Sequence, residues 1–321
     1  MKLCLPNRLA VLLALLILAG CGATGAGEAE QNATTSAEPA AEETRTYESA
    51  KGVIELPANP ERVVVIDQDY VGDVLATGLT PIGASGWVFD TPYYQDFLKG
   101  VESVGDKTTI SLEKVASLTP DLILTFNEEL YDSLTKIAPT VLLPYGQLDY
   151  RERLLEIGTI LNRSQQAEQW LAAFDETVNK KKQELSAVID KNETVVILEI
   201  TEKELFLFGT SYGRGGELLY NELGLRAPDK VEEVAFADGW AGITLEVLPE
   251  YLAEADYILL GVRELGEENK KEIQDSPLWQ DLPAVQAGRV MEYELDSFYF
   301  QDPIALEQQL EEIAVFLLSR Q

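Results

Sequence analysis

The chain has 321 residues, and its 55 acidic and 25 basic side chains give a formal net charge of −30 at pH 7. Such a surface repels nucleic acid and anionic lipid headgroups, so we expect no nucleic-acid partner. The sequence contains no histidine, which excludes Ser-His-Asp triads and histidine-based zinc sites. Any metal that this protein handles must therefore arrive inside another molecule.

The N-terminus has the features of an export signal. Lys2 and Arg8 precede an apolar run over 9–19, which is shorter than the ~20 residues of a membrane-spanning helix. The run ends in Leu-Ala-Gly-Cys, which resembles a bacterial lipobox with Cys21 as the lipidated residue. An ordinary secretory signal or a short buried helix is the alternative. We favour a lipoprotein signal peptide over 1–20, which places the protein on the extracytoplasmic face of the cell membrane, anchored by lipid.

The segment after the signal is predicted to be a flexible tether over 21–46, because it is rich in Ala, Gly, Glu, Thr and Ser and has no aromatic residue. Removal of the signal takes away Lys2 and Arg8 but no acid, so the net charge becomes −32. Cys4 leaves with the signal, which excludes a disulfide framework or a thiolate metal site in the mature domain.

Short apolar runs alternate with helical patterns over 47–160, which we assign to an N-terminal lobe. Near-continuous apolar strands separated by helix-sized spacers indicate a parallel sheet that is covered by helices on both faces. The predicted strands are 62–66, 81–84, 121–126 and 140–143, with a helix through 71–75.

One helix is predicted to be much longer than the others. Apolar residues fall on one helical face over 164–189 without an intervening Gly or Pro, and 26 residues make a helix about 39 Å long. The alternation of strands and helices resumes after it. We therefore assign 161–190 to a rigid helix that joins two lobes, and 191–321 to a C-terminal lobe.

The C-terminal lobe repeats the pattern of the first, so the predicted fold is α/β with two lobes, each built on a mostly parallel central sheet flanked by helices. The last helix is predicted to begin with Asp302 as its N-cap and Pro303 in its first turn. The other predicted elements are strands at 194–200, 205–208, 256–262 and 290–295, and a helix at 214–223.

The stretch over 205–225, LFLFGTSYGRGGELLYNELGL, runs from a strand through a glycine-rich turn into a helix. That order is typical of phosphate binding at a helix N-terminus. The stretch lacks both the Lys-Ser/Thr end of a phosphate loop and the G-x-G-x-x-G spacing, and an exported protein meets no intracellular nucleotide pool. We therefore reject nucleotide binding.

Two short motifs occupy equivalent places in the two lobes. Ser-Leu-Glu ending at Glu113 and Thr-Leu-Glu ending at Glu246 each precede a helix that leads into a buried strand. Helix capping explains either glutamate alone, because hydroxyl and carboxylate groups stabilise a helix N-terminus. Their occurrence once per lobe favours a functional role.

An ordered series of motifs resembles the iron–siderophore substrate-binding lipoproteins of ABC importers, and within them the ferric hydroxamate (ferrichrome and ferrioxamine) binders of Gram-positive bacteria. The resemblance covers 46–318. It is carried by Asn-Pro-Glu-Arg-Val-Val-Val at 59–65, Ser-Leu-Glu-Lys-Val at 111–115, Pro-Asp-Leu-Ile at 120–123, Ile-Ala-Pro-Thr-Val at 137–141, Tyr-Gly-Arg-Gly-Gly-Glu at 212–217, Gly-Trp at 239–240 and Phe-Tyr-Phe-Gln-Asp-Pro at 298–303.

This resemblance implies the helical-backbone periplasmic-binding-protein fold, with a ligand cleft between the lobes and the 212–217 turn at the carboxyl ends of the strands. The implied ligand is a ferric siderophore whose own oxygens hold the iron, so the protein itself supplies no metal ligand and no cofactor. Arg214 is the implied donor to those oxygens. The alternative for Arg214 is an ion pair with Glu217.

Aromatic side chains are expected to cover the apolar parts of the chelate. Tyr212, Tyr299 and Tyr145 match aromatic ligand-contacting positions of the hydroxamate binders, although those relatives carry Trp at the first two. Trp87 faces the cleft by topology alone, and lobe packing is its alternative role.

The same resemblance puts Glu113 and Glu246 on the rim that docks to the transmembrane subunits of an ABC permease. It implies a binding protein without catalytic activity, expected to be monomeric. The alternatives are a ferric citrate or catecholate binder, more distantly a cobalamin or heme binder, and an exported α/β enzyme that uses carboxylates.

Overall fold

The computed structural model of the protein describes residues 43–106 and 108–319. The predicted signal peptide, Cys21 and the tether up to residue 42 lie outside the described residues. In the described part of the chain, no helix is both long enough and apolar enough to cross a membrane.

The described chain begins with an antiparallel hairpin of two strands that the sequence did not predict, β1 (Thr44–Ser49) and β2 (Gly52–Pro57). The hairpin is fixed to the first lobe because Arg45 donates a 2.9 Å hydrogen bond to the carbonyl of Thr159. The predicted tether, which runs to residue 46, therefore ends inside a strand rather than before the fold.

The first lobe contains a five-stranded sheet in the order β5-β4-β3-β6-β7, and all of its pairs are parallel, as predicted. Its strands β3, β6 and β7 are buried throughout, which explains their continuous apolar sequences. The strands are β3 (Val63–Val65), β4 (Gly83–Ser85), β5 (Glu102–Gly105), β6 (Leu122–Thr125) and β7 (Thr140–Leu142), and the helices are α1 (Val71–Ala76), α2 (Leu112–Ser117), α3 (Glu128–Leu134) and α4 (Tyr150–Ile160).

A helix of 23 residues, α5 (Ser164–Ser186), follows the first lobe. It ends three residues before the predicted end at residue 189. Its buried side chains Phe174, Val178 and Leu185 pack in the core of the second lobe, and its N-terminal half lies against α4. The long helix thus connects the two lobes as the sequence predicts.

The second lobe contains a five-stranded mixed sheet in the order β10-β9-β8-β11-β12. The pairs β8–β11 and β11–β12 are parallel, whereas β8–β9 and β9–β10 are antiparallel. Its strands are β8 (Val195–Ile200), β9 (Leu205–Phe208), β10 (Trp240–Ile243), β11 (Tyr257–Val262) and β12 (Val290–Tyr293).

The helices of the second lobe differ from the prediction at one position. A π-helical turn over Glu217–Glu222 replaces the predicted helix at 214–223. The α-helices of this lobe are α6 (Asp229–Ala235), α7 (Leu248–Leu252), α8 (Glu267–Asp275), α9 (Pro277–Gln280), α10 (Pro283–Gln286), α11 (Leu295–Phe298) and α12 (Pro303–Ser319).

The last helix, α12, also joins the two lobes. Asp302 caps it as predicted, because the Asp302 carboxylate accepts a 3.1 Å hydrogen bond from the backbone N–H of Ala305. Ile304 and Ala305 pack in the core of the first lobe. Leu310 and Ile313 pack in the core of the second. Two helices, α5 and α12, therefore fix one lobe to the other.

Candidate functional site

A buried carboxylate holds two arginines at the edge of the second lobe. Glu199 on β8 is fully buried, and its Oε2 accepts a 2.8 Å hydrogen bond from Nε of Arg214. Its Oε1 accepts a 2.5 Å hydrogen bond from Nε of Arg263, which directly follows β11. Because β8 and β11 are parallel neighbours, their carboxyl ends bring these charges together.

Arg214 lies between two aromatic rings. Its guanidinium carbon is 4.5 Å from the ring centroid of Phe208 and 5.1 Å from that of Tyr299. Its Nη1 donates 2.8 Å to the carbonyl of Tyr212. The alternative partner for Arg214 was wrong, because the ion pair forms with Glu199 and the Glu217 side chain accepts the N–H of Gly213 at 3.2 Å. Arg214 is thus oriented by an acid, a carbonyl and two ring faces.

The turn that carries Arg214 is tightly folded. The four residues 212–215 all have positive φ, at 68°, 76°, 60° and 85°. A Cβ on Gly213 would lie 2.4 Å from the carbonyl oxygen of Tyr299, so only glycine fits there. Positive φ costs ordinary residues such as Tyr212 and Arg214 about 1–2 kcal/mol each, and such strain is typical of functional sites.

The turn does not leave the sheet where it was expected to. β9 is antiparallel to β8, and its last residue, Phe208, pairs with Ile197 in the amino-terminal half of β8. The turn therefore starts away from the carboxyl end of β8. The side chain of Arg214 nevertheless returns to that end, because it binds Glu199.

The predicted aromatic residues fall in two contact groups. The Trp87 and Tyr299 rings meet edge to face, with centroids 5.1 Å apart, and Tyr299 lies against Arg214. The Tyr145 ring packs against Phe126 at 5.2 Å. Tyr145 and Tyr212 are 41% and 40% exposed, so both rings offer free surface to a ligand.

These residues line three adjoining concavities of similar size. Tyr145 and Tyr212 line one of about 480 Å³. Trp87 and Tyr299 line both a second of about 520 Å³, in the first lobe, and a third of about 560 Å³ that also contains Arg214. All five predicted ligand residues therefore line a concavity, two of the concavities share Trp87 and Tyr299, and volumes of this size suit a small molecule.

Two tyrosine hydroxyls of the cleft, those of Tyr299 and Tyr145, remain protonated donors. Burial raises the pKa of Tyr299, with a smaller contribution from the negative charge of Asp69. Burial also raises the pKa of Tyr145, and Asp69 adds to that increase. Both hydroxyls can therefore donate hydrogen bonds to ligand oxygens at neutral pH.

Within the residues that the structure describes, no group of three or more Asp, Glu, His or Cys side chains is arranged to hold a metal ion. The chemistry of the cleft is instead that of guanidinium and phenol donors beside aromatic surface. This donor set suits a molecule that presents oxygen atoms and apolar groups together.

The two candidate docking glutamates lie at equivalent places in the two lobes. Glu113 is exposed in the first turn of α2, which leads into β6. Glu246 is exposed in a 3₁₀ turn before α7, which leads into β11. A hydrogen bond from Thr244 lowers the pKa of Glu246, so that its carboxylate stays ionised. Each glutamate precedes the fourth strand of its sheet.

The sequence analysis missed Glu199 and Arg263. Glu199 lies within the apolar run that predicts β8, and nothing in that run reveals a partner. Arg263 follows β11 directly, and a charged residue at the carboxyl end of a predicted parallel strand is the signal that could have indicated it.

Comparisons with known proteins identify the family of this chain. The sequence matches the periplasmic binding protein family over residues 63–296. It is similar to the iron(3+)-hydroxamate-binding protein YxeB of Bacillus subtilis, with 38% identity over 97% of this chain and 95% of the relative. It is also similar to the iron(3+)-hydroxamate-binding protein FhuD of Bacillus subtilis, with 36% identity over 94% and 95%.

Two solved structures have a similar fold. One is a Bacillus subtilis periplasmic binding protein component of a ferrichrome ABC transporter, with a TM-score of 0.78 and 35% identity over 85% of this chain and 99% of that one. The other is FhuD2 from Staphylococcus aureus with bound ferrioxamine B, with a TM-score of 0.72 and 26% identity over 81% and 99%. The chain therefore belongs to the periplasmic binding protein family.

Proposed function

We propose that this protein captures a ferric siderophore of the hydroxamate type outside the cell and delivers it to an ABC permease for iron uptake. The observation that carries the proposal is the position of Arg214, between two aromatic rings in the wall of a cleft lined by tyrosines. The names of its relatives YxeB and FhuD support the same ligand class.

Charge favours a hydroxamate complex over a ferric citrate or catecholate complex. Two cationic side chains, Arg214 and Arg263, lie against the buried Glu199, where they can donate to chelate oxygens. The exposed rim of the same concavity is acidic and would repel a strongly anionic chelate. The rim carboxylates are Glu202, Glu204, Glu264 and Asp296, beside one lysine, Lys203.

We further propose that the protein acts as a monomer, catalyses nothing and is held to the cell membrane by lipid on Cys21. Glu113 and Glu246 are the proposed contacts to the permease subunits. The absence of histidine from the whole sequence argues against an exported hydrolase. Turnover of any substrate by the pure protein would instead support the enzyme alternative.

A titration of intrinsic fluorescence tests the ligand class. Trp87, Tyr145, Tyr212 and Tyr299 line the cleft, so a bound ferric chelate should quench their emission. We expect saturable quenching of the purified mature chain by ferrioxamine or ferrichrome, and none by ferric citrate or ferric enterobactin at equal concentration. Tight binding of ferric citrate together with no response to either hydroxamate would contradict the proposal.

A further inference from the structure

Two positively charged arginines pair with the single negative charge of Glu199. Arg214 alone would neutralise the buried Glu199, with its Nε at 2.8 Å from Oε2. Arg263 brings a second guanidinium to the same carboxylate. The cluster of three groups therefore has a net charge of +1 beside the cleft, and the surplus lies on the half-exposed Arg263, where a ligand can reach it.

Arg263 is presented to the cleft by a rigid backbone. Its N–H donates 2.9 Å to the carbonyl of Ile200, which extends the pairing of β8 and β11 by one residue. Its own carbonyl accepts the N–H of Gly266 at 2.6 Å, which closes the turn. The side chain is 51% exposed and lines the same concavity as Trp87, Arg214 and Tyr299.

The donors of Arg263 are only partly used. Its Nε binds Glu199, and its two Nη atoms make no hydrogen bond to any group among residues 43–106 and 108–319. A guanidinium whose orientation is fixed through Nε presents its remaining N–H groups in a defined direction. This arrangement is the one needed to bind oxygen atoms of a molecule in the cleft.

We infer that Arg263 is a second ligand-binding donor, which acts beside Arg214 on the oxygen atoms of the ferric chelate, and that Glu199 is the residue that positions both guanidiniums. The inference rests on the proposed function and adds a specificity residue to the same site. The two arginines favour a chelate that presents several oxygen atoms. The acidic rim around them disfavours a chelate with a large net negative charge.

A double-mutant cycle tests the role of Arg263. The probe is ferrioxamine E, a neutral cyclic trihydroxamate complex, and the readout is its dissociation constant from fluorescence quenching. We expect Arg263→Gln to weaken binding at least fivefold in the wild type. In the Glu199→Gln background we expect a smaller but still measurable loss, because the amide oxygen at position 199 can still accept from a guanidinium. Lys271→Gln is the matched control, because Lys271 is an exposed cation on α8 outside that concavity, and it should change the dissociation constant less than twofold.

Three outcomes would overturn the inference. Unchanged binding by Arg263→Gln would show that the ligand does not contact this side chain. A loss that disappears in the Glu199→Gln background would show that Arg263 serves only to neutralise that carboxylate. An equal loss from Lys271→Gln would show a general charge effect. Failure of the unmutated protein to bind any ferric hydroxamate would instead refute the proposed function. A melting curve for each variant tests whether that variant is folded.

Discussion

At the scale of single residues, the effect of Arg214 on ligand affinity can be separated from its effect on the stability of the fold. It pairs with the buried Glu199, and it lines the concavity although only 7% of its side chain is exposed. A charge-assisted hydrogen bond to a chelate oxygen contributes roughly 1.5–3 kcal/mol to binding. A buried carboxylate that loses one of its partners lowers the stability of the fold.

We therefore predict that Arg214→Ala lowers siderophore affinity more than tenfold and also lowers the melting temperature. Fluorescence titration and thermal denaturation by circular dichroism measure the two effects. Arg226→Ala is a suitable control, because Arg226 forms a surface ion pair with Asp229 away from the cleft, and it should change neither value much. A lower melting temperature with unchanged affinity would show that Arg214 stabilises the fold through its ion pair and does not contact the ligand.

At the scale of helices and strands, a buried charge cluster joins three helices. Asp73 on α1 accepts a 2.9 Å hydrogen bond from Arg153 on α4. Arg153 also donates 2.9 Å to the carbonyl of Gln301, just before α12. Asp302, the cap of α12, accepts a hydrogen bond from the Tyr94 hydroxyl. Asp73 and Asp302 are fully buried and share one guanidinium, so the cluster favours an added proton.

This cluster predicts an unusual dependence of stability on pH. Burial raises the pKa of Asp73 to about 7, against the opposing effect of Arg153, and burial likewise raises the pKa of Asp302. A pKa above the unfolded value of about 3.9 means that the folded state binds the proton more tightly. The free energy of unfolding should therefore fall as pH rises from about 4 to about 7, by up to about 1.4 kcal/mol per pH unit for one proton, and level off above the folded pKa.

We accordingly expect a higher melting temperature at pH 5.5 than at pH 8, and a smaller difference in Asp73→Asn. Asparagine keeps an oxygen that can accept from Arg153 but cannot titrate. Asp281→Asn, at an exposed position, controls for the change in net charge. If Asp73→Asn shows the same pH difference as the unmutated protein, the proton is not held at this cluster.

The two connecting helices lead to a prediction about motion. α5 and α12 both pack between the lobes, and the long helix α5 contains no Gly or Pro. Hinges are typically loop residues that absorb large changes in φ and ψ, and a continuous helix offers no such position. We predict that ligand binding closes the cleft by only a few degrees. Small-angle scattering with and without ferrioxamine should give the same radius of gyration, and a marked decrease would exclude a rigid connection.

The sequence predicts every inner strand of the two five-stranded sheets and the edge strands β7 and β12, but it misses the edge strands β5 and β10. β3, β6, β8 and β11 read as continuous apolar runs because each pairs on both sides. β5 begins with the exposed residues Glu102 and Ser103, and β10 carries the exposed Trp240 and Gly242. Both strands are stabilised by pairing with the neighbouring strand, and the local sequence pattern does not show that pairing.

Contacts between segments that are distant in the sequence also limit prediction of the site. Arg214 and the three tyrosines were predicted from a resemblance of short motifs, and Trp87 was predicted from topology alone. All five residues line concavities of the structure, and their contact with a ligand remains a prediction. Glu199 and Arg263 are 64 residues apart and meet only when β8 pairs with β11. The turn over 212–215 differs from a simple helix start because the N–H of Arg214 donates 2.6 Å to the carbonyl of Phe298, and the carbonyl of Tyr299 lies against Gly213.

At the scale of the whole molecule, each lobe carries one of the two proposed docking residues. Glu113 and Glu246 are exposed, and each opens a helical segment that leads into the fourth strand of its sheet. A permease with two related subunits would contact one glutamate of each lobe. Such a contact depends on the spacing of the lobes, so it can distinguish a ligand-bound protein from an empty one.

We predict that Glu113→Ala and Glu246→Ala bind ferric siderophore normally yet fail to support iron uptake in cells. An exposed carboxylate contributes little to folding, whereas one that is desolvated against an arginine at an interface can contribute 2–5 kcal/mol to the complex. Radiolabelled ferrioxamine uptake measures transport, and fluorescence titration of the purified variants measures binding. Glu233→Ala, at an exposed position on α6, is the matched control and should transport at the normal rate. Normal uptake by either docking variant would leave that glutamate with a helix-capping role alone, whereas loss of both uptake and binding would point to a defect in the fold.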